Sequence, residues 1–227
     1  MKSTNQLAKR QGVEQGRLAQ FEPAFQAEAA VQSFFIGRNV QTANGSYTIQ
    51  GPAHAFTNAD DAGVDALALA YAVTAAIGDN RERAGYIVSM GSGYGYASPY
   101  ELGRGNVVSR PFFVGETASA AFDNPSESVT DVGMFHIHLN AHGLDYHTNK
   151  GFGPDDLYAS QQLAKRNSND PNSGKLFSHY LGASDGAIRV LRDPWSQPIQ
   201  SHPGTIPPIT ALNVIKPAGF FNLGSPN

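Results

Sequence analysis

The sequence predicts an α/β (α+β) fold in which helices pack against a mixed β-sheet. A long helix is indicated over 57–78, where Thr57 can cap the first turn, two aspartates follow it and a glycine supplies the stop. Strand patterns follow at 83–90 and 132–139, and a second helix is predicted over 155–165. Because helix and strand patterns alternate along the chain, a layered architecture is favoured over an all-β sandwich.

Turn residues add hairpins and further strands to this plan. The stretch GSGYGYASPY at 91–100 predicts a turn and hairpin after the first strand. Residues 182–186, GASDG, separate two short strand patterns within 176–191 and are typical of a hairpin turn. A short strand is also predicted within 44–50, and another over 106–115.

The chain divides into three predicted segments. Residues 1–50 form a helical arm with a short strand, 51–194 form the main domain, and 195–227 form a proline-rich tail. Proline lacks the backbone N–H that a sheet ladder needs, so we expect no regular central strand from the tail. We expect it to wrap around the domain or a partner instead.

Composition excludes several classes of function. The 227-residue chain has a net charge of −3, with 41% hydrophobic and 15% charged residues, which is typical of a folded protein without a phosphate-neutralising surface. We expect neither nucleic acid nor a membrane as a partner, since no stretch approaches about 18 consecutive apolar residues. The chain has no cysteine, which leaves His, Asp and Glu as candidate metal ligands. The N-terminus lacks a signal-peptide pattern, so a cytoplasmic location or export by a signal-independent secretion system is expected.

The most informative stretch is GMFHIHLNAH at 133–142. Side chains alternate across a strand, so His136 and His138 point to one face while Ile137 enters the core on the other. Imidazoles about 7 Å apart along a strand can converge on one zinc ion at about 2.0 Å each. The pair therefore predicts a metal site, against the alternative of a structural or surface role.

A catalytic zinc site also needs a third protein ligand and a general base. Asp156 is the preferred third ligand, because Gly153-Pro154 begins a helix whose first-turn carboxylates face the end of the strand; Asp155 is the alternative. Glu82, between the long helix and the first strand, is the candidate base. The competing interpretations are complementation of the helix dipole by the aspartates and a solvated turn position for Glu82.

Three further histidines are accessory candidates. His142 and His147 lie in the loop after the histidine pair, where they either join the metal site, bind substrate or are exposed. His179, in the stretch FSHYLG, is either a neighbour of the site on an adjacent strand or an ordinary residue of the sheet.

Five segments in a fixed order resemble the JAB/MPN metallopeptidase superfamily, whose motif is Glu, then His-x-His, then Ser-x-x-Asp. The sequence is most similar to the bacterial JAB-like domain of unknown function found in polymorphic toxins and Rhs-type proteins, over roughly residues 56–194. That domain has a Glu-x-x-Gly-x-Ile strand, a Gly/Tyr-rich hairpin, the His-x-His strand, a Phe-Ser-Pro-x-Asp helix start and a Tyr-Leu-x-x-x-Asp-Gly hairpin. Here these are Glu82–Ile87, Gly93–Pro99, His136–His138, Phe152–Asp156 and Tyr180–Gly186.

The resemblance implies a JAB/MPN-like sheet with cytidine-deaminase-like layering and a zinc peptidase or isopeptidase acting on a peptide or protein. His136, His138 and Asp156 would be the zinc ligands, and Glu82 would take a proton from a water activated by the metal. Gly153 stands where the family has a serine whose hydroxyl stabilises the oxyanion, so a backbone N–H or His142 would have to replace it. Without a replacement, the chain would be a JAB-like module that binds a peptide or protein without turnover. A toxin effector with an immunity or carrier protein as its partner is the third possibility.

Overall fold

The computed structural model describes a set of segments that together form a seven-stranded sheet, a two-stranded hairpin and helices that pack against them. The described residues are 28–78, 82–90, 93–96, 100–101, 129–139, 151–153, 156–157, 160–161, 177–194 and 212–221. The strand predicted over 106–115 and most of the predicted arm and tail lie outside these residues.

The described residues begin with the helical segment 28–35 (α1), followed by a small hairpin and a long helix. The hairpin pairs β1 (Asn39–Thr42) with β2 (Gly45–Thr48), and the helix is α2 (Ala59–Ile77). Seven further strands follow: β3 (Arg83–Met90), β4 (Gly93–Tyr96), β5 (Tyr100–Glu101), β6 (Val129–Ile137), β7 (Ser178–Gly182), β8 (Ile188–Arg192) and β9 (Leu212–Lys216). Residues 156–157 and 160–161 are also helical.

The seven later strands form one mixed sheet in the order β4-β3-β6-β7-β8-β9, with β5 also paired to β3. The β6–β7 pair is parallel, and the other described pairs are antiparallel. The predicted mixed sheet with flanking helices is therefore confirmed. Within the described part of the chain, no helix is long and apolar enough to span a membrane.

The ends of α2 follow from local capping chemistry. Its cap is Asn58, one residue after the predicted Thr57, because the Asn58 backbone is extended and its side chain accepts a hydrogen bond from the Asp61 N–H at 2.8 Å. The predicted glycine stop is confirmed: Gly78 has a left-handed backbone with φ of 71°, and its N–H donates to the Thr74 carbonyl.

The two faces of the sheet are covered by different elements. On one face, α2 packs its buried side chains against Phe135 and Ile137 of β6. On the other face, Phe152 and Leu157 pack against Leu181 of β7, beside the histidine pair. The alternation of side chains along β6 therefore separates an apolar face from a face that carries imidazoles, as predicted.

The start of β3 is fixed by a buried arginine. The side chain of Arg83 is fully buried, and its guanidinium donates to the Thr74 hydroxyl of α2 at 2.7 Å and to the Glu28 carboxylate of α1 at 2.8 Å. Since a buried charge needs a partner, these contacts tie both helices to the first residue of β3. They also hold the preceding residue, Glu82, at the end of the sheet.

A buried carboxylate joins the small hairpin to the main body. Asp65 of α2 accepts two hydrogen bonds on each oxygen: from the Tyr47 hydroxyl and Gln50 N–H on one, and from the Gly51 N–H and Tyr96 hydroxyl on the other, at 2.7–2.9 Å. Four donors compensate the desolvation of the carboxylate. The β1–β2 hairpin and β4 are thereby held against the same helix.

The segment predicted as a tail contributes a strand to the sheet. Strand β9 pairs with β8 at the edge, and the Phe221 N–H donates to the Gly186 carbonyl in the β7–β8 turn at 3.2 Å. Four prolines of the tail precede β9 and Pro217 follows it directly, whereas its own five residues include none. The sequence analysis did not predict this strand.

We expect Gly63→Ala to destabilise the protein by about 1–3 kcal/mol, because α2 lies against Tyr180 with no room for a methyl group. A Cβ at Gly63 would lie 2.7 Å from the ring of Tyr180. Helix propensity alone would act in the opposite direction by up to about 1 kcal/mol. Urea denaturation measures the sign, with the exposed position Ala75→Gly as a control for propensity in the same helix. A more stable Gly63→Ala protein would contradict the close contact.

Candidate metal centre

Strand register brings Glu82 and the histidine pair to the same end of the sheet. In the β3–β6 ladder, Ala84 lies opposite His136. The same register, continued two residues, places Glu82 opposite His138, which follows the last residue of β6. The position of His138 is fixed by its own backbone N–H, which donates to the Gly182 carbonyl at 2.8 Å.

Two imidazoles and one carboxylate meet on this face. His136 Nε2 lies 2.9 Å from His138 Nε2 and 3.4 Å from Asp156 Oδ1, and His138 Nε2 lies 3.4 Å from Asp156 Oδ2. One ligand atom from each residue falls within 4.8 Å of the others. Both histidines are buried, and Asp156 is partly exposed. This group is able to bind a metal ion.

The distances between the three groups are near those between the ligands of a small tetrahedral cation. Ligand atoms about 2.0–2.2 Å from a zinc ion, at tetrahedral angles, lie about 3.3–3.6 Å from one another. Each histidine–aspartate separation of 3.4 Å is close to this edge but involves a different carboxylate oxygen, and the histidine–histidine separation of 2.9 Å is shorter. Three protein ligands also leave one tetrahedral position for a further group, as catalytic zinc sites require.

Asp156 is oriented by the start of its own helical turn. The Gly153 N–H donates to Asp156 Oδ2 at 2.7 Å, and the Leu157 N–H donates to the Gly153 carbonyl at 3.1 Å. A first-turn carboxylate that bonds back to the capping residue is common at helix N-termini. As a result, the backbone N–H of Gly153 is already engaged by the candidate ligand.

Glu82 is electrostatically coupled to the same group. Burial raises the pKa of Glu82 to about 7, with a further increase from the charge of Asp156 and an opposing effect of His138. A carboxyl group that gains and loses its proton near neutral pH has the property required of a general base. Glu82 thus lies close enough to His138 and Asp156 for their charges to affect its pKa.

The directions of the pKa shifts of His136 and Asp156 favour metal binding. Burial lowers the pKa of His136, although the neighbouring Asp156 opposes this, and burial lowers the pKa of His179 well below its usual value. For Asp156, burial acts to raise the pKa, but the charges and hydrogen bonds of His136 and His138 hold it well below its usual value. Neutral imidazoles and an ionised carboxylate are the forms that coordinate a cation.

Two buried residues extend the centre behind His136. His136 Nδ1 lies 2.7 Å from His179 Nε2, and the other nitrogen of His179 contacts the Ser160 hydroxyl. The ring of Phe152 packs against His179, with the two ring centroids 4.7 Å apart. His179 was a sequence candidate, whereas Ser160 was not. The signal for Ser160 is its position four residues after Asp156, one turn along the predicted helix.

The remaining candidates divide between described and undescribed residues. Gly153 lies at the site, where it orients Asp156. Asp155, His142 and His147 lie outside the described residues. Comparison with protein-family models, with curated proteins and with solved structures found no significant match for this chain. The geometry of the described residues therefore carries the functional argument.

Because the folded protein raises the pKa of Glu82 from 4.5 to about 7, the folded state retains a proton that the unfolded chain releases. In metal-free protein this group therefore lowers the free energy of unfolding as pH rises between those two values. We expect Glu82→Gln to match wild type near pH 4.5 and to be more stable above pH 7, by roughly 1–3 kcal/mol after allowance for residual solvation. Urea denaturation across this range, in chelator-treated protein, measures the difference. Parallel stability profiles would show that folding does not raise the pKa of Glu82.

Proposed function

We propose that the protein is a zinc-dependent hydrolase of amide bonds, a peptidase or isopeptidase of the JAB/MPN-like class. The observation that carries the proposal is the convergence of His136, His138 and Asp156, with Glu82 beside them, at one end of the sheet. Three ligands of these types are typical of catalytic zinc sites, and a separate carboxylate with a pKa near neutrality suits proton transfer.

In this proposal each residue has a distinct role. His136, His138 and Asp156 hold the metal, and the Gly153 N–H orients the carboxylate of Asp156. A bound zinc ion supplies a Lewis acid that acidifies water and polarises a carbonyl oxygen. Glu82 accepts the proton of the attacking water and later donates it to the leaving amine. Burial keeps the pKa of the Glu82 carboxyl group near neutrality, so this group can both accept and donate a proton.

The positions of the site residues also support the JAB/MPN-like assignment. Glu82 precedes β3, the histidine pair lies at the end of β6, and Asp156 lies in the first turn of a helical segment on the same face. This is the order of the motif of that class, distributed over adjacent elements of a mixed sheet. A peptide or protein is the proposed substrate.

The test combines metal content with cleavage. Full-length protein purified without chelator is expected to contain about one zinc per chain, and His136→Ala is expected to lose it, while the exposed His54→Ala is a matched control. Wild type is expected to cleave members of a peptide and isopeptide panel, and Glu82→Gln to retain zinc but lose at least about 10²-fold in kcat. Equal cleavage by wild type and Glu82→Gln would remove Glu82 from the mechanism. Absence of zinc from wild type would overturn the hydrolase proposal.

A second candidate function is a JAB-like module that binds a peptide or protein without turnover. The observation that favours it is the environment of Gly153, which has no hydroxyl and whose N–H is engaged by Asp156. The backbone N–H of this residue therefore does not replace the serine hydroxyl of the related enzymes. Stabilisation of an oxyanion would have to come from another group.

Gly153→Ser and Gly153→Ala distinguish these two functions. A Cβ at position 153 would lie 3.3 Å from Asp156 Oδ2, so both variants require the same small adjustment and only serine adds a donor. We expect both variants to retain zinc, and Gly153→Ser alone to raise kcat, by up to about 10²–10³-fold. Steady-state cleavage assays with equal metal loading measure the ratio. Equal rates for the serine and alanine variants would show that a donor at this position does not limit turnover.

A further inference from the structure

A chain of hydrogen bonds connects the first candidate ligand to the backbone of the third. His136 Nδ1 lies 2.7 Å from His179 Nε2, His179 Nδ1 contacts the Ser160 hydroxyl, and the Ser160 hydroxyl donates to the Asp156 carbonyl at 2.6 Å. His136, His179 and Ser160 are all buried, and His179 and Ser160 are fully so.

The direction of the chain is set by its last member. A backbone carbonyl oxygen only accepts hydrogen bonds, so the Ser160 hydroxyl must donate its proton to the Asp156 carbonyl. The Ser160 oxygen is then an acceptor for His179, which requires the proton of neutral His179 to be on Nδ1. His179 Nε2 becomes an acceptor in turn and receives the proton of His136 Nδ1.

If the hydrogen bonds ran in the opposite direction, the contact between Ser160 and the Asp156 carbonyl would have no proton to share. If His179 donated from Nε2 to His136, its Nδ1 would have to accept the Ser160 proton. The Ser160 and Asp156 oxygens, 2.6 Å apart, would then face each other as two acceptors. In a buried site this arrangement is unfavourable, because a polar group without its hydrogen bond costs about 1–3 kcal/mol.

We infer that His179 and Ser160 are positioning residues that hold His136 in the tautomer with its proton on Nδ1, so that the Nε2 lone pair faces His138 and Asp156. This inference rests on the proposed metal centre and extends it. The carbonyl of Asp156 fixes the tautomer of His136, while the carboxylate of the same residue is the third candidate ligand. Partners behind metal-binding histidines commonly determine ring orientation and affinity in this way.

Zinc affinity in a set of full-length variants tests the role of His179. His179→Leu removes both hydrogen bonds, whereas His179→Gln keeps an acceptor for His136. We expect zinc affinity, measured by chelator competition, to fall about 10–100-fold in His179→Leu and less in His179→Gln. Ser160→Ala, which releases His179 from the carbonyl, is expected to give a smaller loss than His179→Leu. His54→Leu, at an exposed position, is the matched control and should bind zinc as wild type does.

Imidazole ¹⁵N NMR of metal-free protein tests the tautomers directly and independently of hydrolysis. We expect His136 and His179 in the wild type to carry their protons on Nδ1, and His136 to become a mixture of tautomers in Ser160→Ala. If His179→Leu fails to fold, the wild type, His179→Gln and Ser160→Ala still decide the question. An Nε2-protonated His136 in the wild type, or zinc affinity unchanged in every folded variant, would overturn the inference. A wild type that binds no zinc yet shows the expected tautomers would overturn the proposed function and leave the hydrogen-bonded chain in place.

Discussion

The register between β3 and β6 is the constraint on which the rest of the site depends. With Ala84 opposite His136, the residues at the end of both strands share one face and one end of the sheet. A shift of one residue would turn every side chain of β6 to the opposite face, which would place the imidazoles against α2 and the apolar side chains in the site. The core contacts of Phe135 and Ile137 with α2 thus specify the register, and the register in turn specifies the site.

The polar cluster has a physical cost within the fold. His136, His138 and His179 are buried on a face that is otherwise covered by Phe152, Leu157 and Leu181. Apolar side chains of similar volume at these positions would avoid the desolvation of imidazoles and of a nearby carboxylate. A cluster of polar groups at the end of an apolar strand therefore adds little to stability by itself. Residues of functional sites often lower stability in this way in exchange for binding or activity.

The sequence predicted what depends on local chemistry. The period of two along β6 correctly separated the face of His136 from that of Ile137, and capping chemistry located Gly78 and the turn that carries Asp156. Local patterns alone did not decide which distant segments are in contact, and His179 was only one of several accessory candidates. The contact between His136 and His179 depends on the parallel pairing of β6 with β7, whose partners lie 45 positions apart. Ser160 joins the site only through that pairing, and β9 joins the sheet only after a long segment rich in proline. The cap of α2 at Asn58 rather than Thr57 shows how neighbouring residues with similar capping ability leave a helix boundary uncertain by one position.

The edge position of β9 has a consequence for synthesis of the chain. The ribosome completes every described residue of the metal centre before it reaches residues 212–216, which cover the outer edge of β8. Until then, the nascent protein presents the backbone donors and acceptors of β8, beside buried side chains such as Val190, as a template for another polypeptide. Translation products that end before Leu212 would hold the complete ligand set and still be prone to aggregation.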